Sequence, residues 1–173
     1  MPNQPWQASL QASLNPPNRP DPPVRLAVLG IGHELCGDDA VGVRLAEMLY
    51  PIAKANERLL AIAAGPAPEN FTGLVRRFHP DLVLLVDAAQ MDAAPGTIKW
   101  LDWQSTGGIS ASSHTLPLHI LVSYLIAELG CQMALIGIQP AQTYADGPLT
   151  ARVQAAAEQV VQALREQISY DSV

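Results

Sequence analysis

Three features of the 173-residue chain point to one α/β domain in three layers, a mostly parallel, twisted sheet of about five strands with helices on both faces. First, short apolar runs alternate with amphipathic stretches from Val24 onward, as in βαβ units. Second, Leu82-Val83-Leu84-Leu85-Val86-Asp87 is a near-continuous apolar run, expected of a central parallel strand covered on both faces. Third, the chain is 49% apolar but only 5% aromatic, so its core must be aliphatic.

The elements follow in order. Residues 1–23 carry Pro2, Pro5, Pro16, Pro17, Pro20, Pro22 and Pro23 and read as a proline-rich flexible tail preceding a domain over 24–173. Trp6, Leu10 and Leu14 recur every fourth residue and would form one apolar stripe if this stretch turned helical on docking, but composition favours the tail. Val24–Leu29 is a buried strand. Asp39–Leu49 is a helix with Val41, Leu45, Met48 and Leu49 inward. Leu59–Ala64 is the second strand, and Glu69–Phe78 a short helix stopped by Pro80. The apolar run Leu82–Asp87 follows, then a shorter strand, Thr97–Leu101, after the turn Pro95-Gly96. Leu116–Leu129 is a helix with Pro117 in its first turn, where proline is tolerated. Gln132–Ile138 is a strand, and Thr150–Ile168 a terminal amphipathic helix.

Composition excludes several functions. The net charge is −6 with no Lys/Arg stripe, which argues against nucleic-acid or anionic-membrane binding. Cys36 and Cys131 are too few for a disulfide framework, and no apolar run reaches membrane-spanning length. With no secretory signal at the N-terminus, the expected location is the cytoplasm.

The chemistry-bearing groups lie just beyond apolar runs. Strand one ends in Gly30-Ile31-Gly32-His33, followed by Asp38-Asp39-Ala40-Val41-Gly42. Asp87 closes the third strand, and His114 sits in Ser112-Ser113-His114-Thr115 before a helix. Parallel strands bring their carboxyl ends to one edge, where Asp39, Asp87 and His114 can converge as an O,O,N set with open coordination positions. Each also has a structural reading. Asp38 is placed to cap the helix that follows it, Asp39 to meet that helix's dipole, Asp87 to be satisfied by loop hydrogen bonds, and His114 to cap or sit at the surface. A dinucleotide site is rejected: Leu35 stands where the third glycine belongs, and no acid ends the second strand. Cys36 and His33 lack an orienting third group for nucleophilic catalysis.

These blocks resemble the hydrogenase maturation proteases, which trim the C-terminal extension of the large subunit of nickel–iron hydrogenases. The resemblance rests on Gly30-x-Gly32 with Asp38-Asp39 and Gly42, on Val86-Asp87-Ala88 with Pro95-Gly96, and on the Ser112-Ser113-His114 loop. Pro68-Glu69-Asn70 and Ile136-Gly137-Ile138-Gln139-Pro140 add to it and resemble the formate hydrogenlyase (hydrogenase 3) branch. The resemblance covers about Arg25 to Leu164 and implies an endopeptidase. It further implies that Asp39, Asp87 and His114 are the catalytic, nickel-binding trio, with Asp38 a family acid but not a ligand. The resemblance implies as well that the nickel arrives on the partner, the hydrogenase large-subunit precursor, and is bound transiently, and it is compatible with a monomer. Whether an aspartate is general base or only ligand stays open, as does a rival role as a non-cleaving nickel-sensing chaperone built on the same residues. One departure is His33, where the family has Asn.

Overall fold

The structure is a computed structural model, and it describes residues 4–18, 24–102, 118–144 and 146–170. Five strands form its sheet: β1 (Leu26–Ile31), β2 (Leu59–Gly65), β3 (Leu82–Ala88), β4 (Ile98–Leu101) and β5 (Gln132–Ile138). Their order is β2-β1-β3-β5-β4. All neighbours are parallel except β4, which runs antiparallel along β5 with Ile98 opposite Ile138. A parallel β4 would need a crossover of a dozen or more residues; the short link from Ala88 to Ile98 contains no helix and turns the chain back instead. The expected three-layer, mostly parallel α/β architecture is therefore what the chain adopts.

The helices are α1 (Pro5–Leu14), α2 (Val41–Lys54), α3 (Thr72–Phe78), α4 (Leu118–Leu129) and α5 (Ala151–Tyr170). Alternate residues of each strand face opposite layers. Leu26 and Val28 of β1 join a cluster with Trp6, Leu45, Leu49, Val160 and Leu164 from α1, α2 and α5. Ala27, Leu29 and Ile31 join a second cluster with Val75, Leu121 and Leu125 from α3 and α4. β3 contributes to both clusters, and all seven of its residues are buried, as its unbroken apolar run requires.

Two expectations are corrected. The proline-rich segment is not a flexible tail over Pro5–Leu14: it is helix α1, with Trp6 2% and Leu10 1% exposed. Its prolines bracket the helix rather than interrupt it. Pro5 occupies the first turn, where its missing N–H would have had no partner, and Pro16 and Pro17 come after the last turn. The Gln7 carboxamide accepts the Gln4 amide at 2.7 Å, and the Trp6 indole N–H donates to Gln4 Oε1 at 2.9 Å. The four-residue spacing of Trp6, Leu10 and Leu14 thus outweighs composition, because each side chain gains burial that a free tail lacks. Secondly, α2 extends past Leu49 to Lys54 despite Pro51, since Ile52 and Ala53 still pack on the core.

Trp6→Ala is expected to lower the unfolding free energy by about 3 kcal/mol, through lost transfer energy and a residual cavity. Urea unfolding of the two proteins measures it; an unchanged midpoint would mean that α1 does not belong to the folded core.

Candidate functional site

The chain leaves β1 for β2 on one side, then crosses back to β3 on the other, so the topological switch lies between β1 and β3. The crevice outside their carboxyl ends is where doubly wound sheets bind ligands. Two glycines set how closely the next segment can approach it. Gly32 has φ +133°, and a Cβ there would run into the carbonyl oxygen of Asp39. At Gly42, in the first turn of α2, a Cβ would overlap the Val86 carbonyl oxygen and the backbone of Ile31. The start of α2 is therefore seated between the last residues of β1 and β3, and the 3-10 turn Gly37–Ala40 that precedes it carries both aspartates.

Asp39 is 4% exposed, and its Oδ2 accepts the His33 amide at 2.7 Å. Asp87 is 2% exposed at the end of β3, level with Gly137 of β5. The preceding Val86 lies level with Gly30 of β1 and touches Gly42 through its carbonyl. Asp39 and Asp87 are thus brought to the same edge, on either side of the switch. His114, the third member of the expected trio, lies outside the described residues, as do Ser112, Ser113 and Thr115. Among the described residues no group of three or more His, Cys, Asp or Glu is assembled to hold a metal ion. The chemistry of the acids themselves suits a hard or borderline divalent ion, with oxygen donors in a site shielded from water.

Asp38 differs from its expected role. It does not cap the helix that follows it; the residue before α2 is Ala40, which makes no side-chain cap. Asp38 is fully buried and holds the connection that leads into the distant α5 instead. Its Oδ1 accepts the Thr150 amide at 2.7 Å, and its Oδ2 accepts the Thr150 hydroxyl at 3.0 Å and the amides of Ala141 and Gln142 at 2.9 and 3.1 Å. Four hydrogen-bond donors around the carboxyl group compensate its burial. Its other partners lie more than 100 residues away in the chain, so local pattern offered only the nearer helix.

Gln139 belongs to the same region and is 6% exposed. Its Oε1 accepts the Met91 amide at 2.7 Å, and its Nε2 donates to Gln90 Oε1 at 2.9 Å and the Pro140 carbonyl at 3.2 Å. The only sequence signal for it is a Gln-Pro pair directly after a strand. His33, in place of the family Asn, has an exposed side chain whose Nδ1 accepts the Leu35 amide at 3.4 Å, a long contact.

A hollow of about 560 Å³ opens at the opposite edge of the sheet, lined by Pro80, Asp81, Leu82, Gly130, Cys131 and residues 16–18. Volume is a poor guide here: the paired acids are at the switch, and the Asp81 carboxylate is engaged by the Arg25 amide at 2.8 Å. Burial pushes the Cys131 thiol above its ordinary range, with the Asp81 charge adding to the rise.

The fold and this edge define a doubly wound α/β protein with two buried carboxylates at its switch point. The model of the family described as hydrogenase maturation protease matches residues 43–167. The Escherichia coli K12 hydrogenase 3 maturation protease is 33% identical over 138 residues, 79% of this chain and 86% of that one. The E. coli hydrogenase 2 maturation protease is 30% identical over 154 residues, 83% and 92% of the two chains. The crystal structure of a [NiFe] hydrogenase maturation protease, HycI from Thermococcus kodakarensis, superposes with a TM-score of 0.80 at 31% identity, covering 93% of this chain and 99% of that one. This chain belongs to the hydrogenase maturation protease family and is a peptide hydrolase.

Gly42→Ala is expected to destabilise the fold by about 2 kcal/mol or more, since the obstacles are backbone atoms that cannot swing aside; thermal unfolding measures it. Cys131 supplies a pH test. A thiol whose folded pKa is raised contributes stability that is fully present below the unfolded value, about 8.5, and lost as pH rises through the folded one. Between pH 8 and 10 the wild type should lose more stability than Cys131→Ala in urea titrations. Equal losses would mean that the thiol is not held protonated by burial.

Proposed function

We propose that this chain removes the C-terminal extension from the large subunit of a nickel–iron hydrogenase, and recognises its substrate by the nickel that the precursor already carries. The observation behind the reading is the placement of Asp39 and Asp87, two buried carboxylates at one crevice. Their sequence context, and that of His114, is the one the family resemblance assigns to nickel binding. Membership in the family and the names of the relatives support the hydrolase and its class of substrate. The donor set supports a metal that comes and goes, because carboxylates and imidazole without thiolate do not retain nickel strongly.

In this reading Asp39 and Asp87 complete the coordination of the substrate's nickel, with His114 as nitrogen donor, and so bring the scissile bond to the crevice. Held there, the ion would supply Lewis acidity toward the carbonyl or a bound water, and a carboxylate would accept the proton released on attack. The His33 amide keeps the Asp39 carboxylate aimed while this happens. Cleavage then depends on nickel insertion, which makes processing a checkpoint on cofactor assembly. Among the described residues no helix is long and apolar enough to cross a membrane.

The test is to incubate the protein with a large-subunit precursor from the same cell, nickel-loaded or nickel-free, and to weigh the products. Loss of a C-terminal peptide from the loaded form alone is the expected result. Complex formation without cleavage would make the protein a nickel-sensing chaperone. Asp87→Asn should abolish processing with its circular dichroism spectrum unchanged; processing at the wild-type rate would sink the mechanism.

A further inference from the structure

The segment that follows β5 touches both walls of the crevice. On one side the amides of Ala141 and Gln142 donate to the Asp38 carboxylate, and the Asp38 amide donates to the Gln142 carbonyl at 3.0 Å. This ties the segment to the turn that carries Asp39. On the other side the Gln139 side chain holds the Met91 amide and the Gln90 carboxamide. Its backbone bonds Thr97 and Gly96 at 2.9 and 2.8 Å, while Ile138 accepts the Ala89 amide at 3.0 Å. This ties the same segment to the loop that leaves β3 after Ala88, the residue that follows Asp87. Residues 139–142 therefore form a strut between the Asp39 turn and the Asp87 strand end, and Asp38 anchors its far end to the start of α5 through Thr150.

We propose that Asp38 and Gln139 are positioning residues that act through this strut to set the placement of Asp39 relative to Asp87. The inference rests on the proposed function only in taking those two acids as the working pair. Both positioning side chains are buried, and their polar atoms are taken up by hydrogen bonds to the segments they join. Asp38 presents only acceptors to a ring of donors. An amide at that place would turn an N–H toward another N–H, so Asp38→Asn changes geometry while keeping size. In Gln139→Glu the Met91 contact survives, but a carboxylate oxygen faces Gln90 Oε1 and the Pro140 carbonyl, which pushes the strut off the β3 loop.

Steady-state cleavage of the nickel-loaded precursor is the first test. Misplacement of a reacting group by about 1 Å costs on the order of 100-fold. Asp38→Asn and Gln139→Glu are each expected to lower kcat by about that factor with KM within about twofold. Because both act through one strut, the double variant should be little worse than the poorer single one. Thr150→Val removes one hydrogen bond to Asp38 and should lower kcat about fivefold, while Thr150→Ser, which keeps the hydroxyl, should retain wild-type kcat. Val160→Ala, a core change in α5 away from the crevice, should lower the melting temperature and leave kcat unchanged. Unchanged kcat in the strut variants, an equal fall in Val160→Ala, or fully multiplicative losses would overturn the proposal.

Amide hydrogen exchange gives a readout that does not depend on cleavage and so separates this proposal from the functional one. If the wild type cleaves no precursor, the functional reading fails, and the strut is judged by exchange alone. Gln139→Glu should speed exchange of the His33 amide, which bonds Asp39 and makes no contact with Gln139, by about tenfold. Thr150→Val should do the same at the Met91 amide. Unaltered rates at both amides would show that the two walls are not coupled.

Discussion

The structure depends on the close approach of the start of α2 to the ends of β1 and β3. That approach exists because Gly42 has no side chain where the Val86 carbonyl and the Ile31 backbone pass. Any Cβ there would lift the helix away from the sheet and carry the Gly37–Ala40 turn with it. Gly32 serves the same contact from the strand side, in a conformation that other residues rarely adopt. The two buried aspartates can stand over the switch point only because backbone packs on backbone at this corner.

Burying carboxylates in such a corner carries a desolvation cost, and the fold meets it differently for each acid. Asp38 is satisfied by four donors from the β5–α5 connection, which compensate the burial of its carboxyl group. Asp39, one residue later on the same turn, accepts the His33 amide. Adjacent acids thus draw their donors from different parts of the chain, Asp38 from the β5–α5 connection and Asp39 from the His33 amide.

The N-terminal helix shows how patterning and composition can conflict. Prolines and polar residues argue for a tail, yet Trp6, Leu10 and Leu14 share one helical face and fill the layer formed with α5 and β4. The helix is marginal by itself, as short helices are, and its stability comes from what its apolar stripe buries. Whether that stripe finds a partner is a property of the folded surface, so composition alone could not reveal it.

The residue pattern by itself determined the layer architecture, the five strands to within a few residues, and the sheet edge that carries Asp39 and Asp87. These follow from local periodicity and from the rule that parallel strands align their carboxyl ends. Tertiary structure decided the antiparallel course of β4, the docking of α1, the anchoring of Asp38 to Thr150 and the role of Gln139. Each of these depends on contacts between segments far apart in the chain. Asp38 and Thr150 are separated by 112 positions, and no local window contains both the acid and the donors that surround it. Spacing along a chain encodes which face a side chain takes; only the packed fold determines what that face meets.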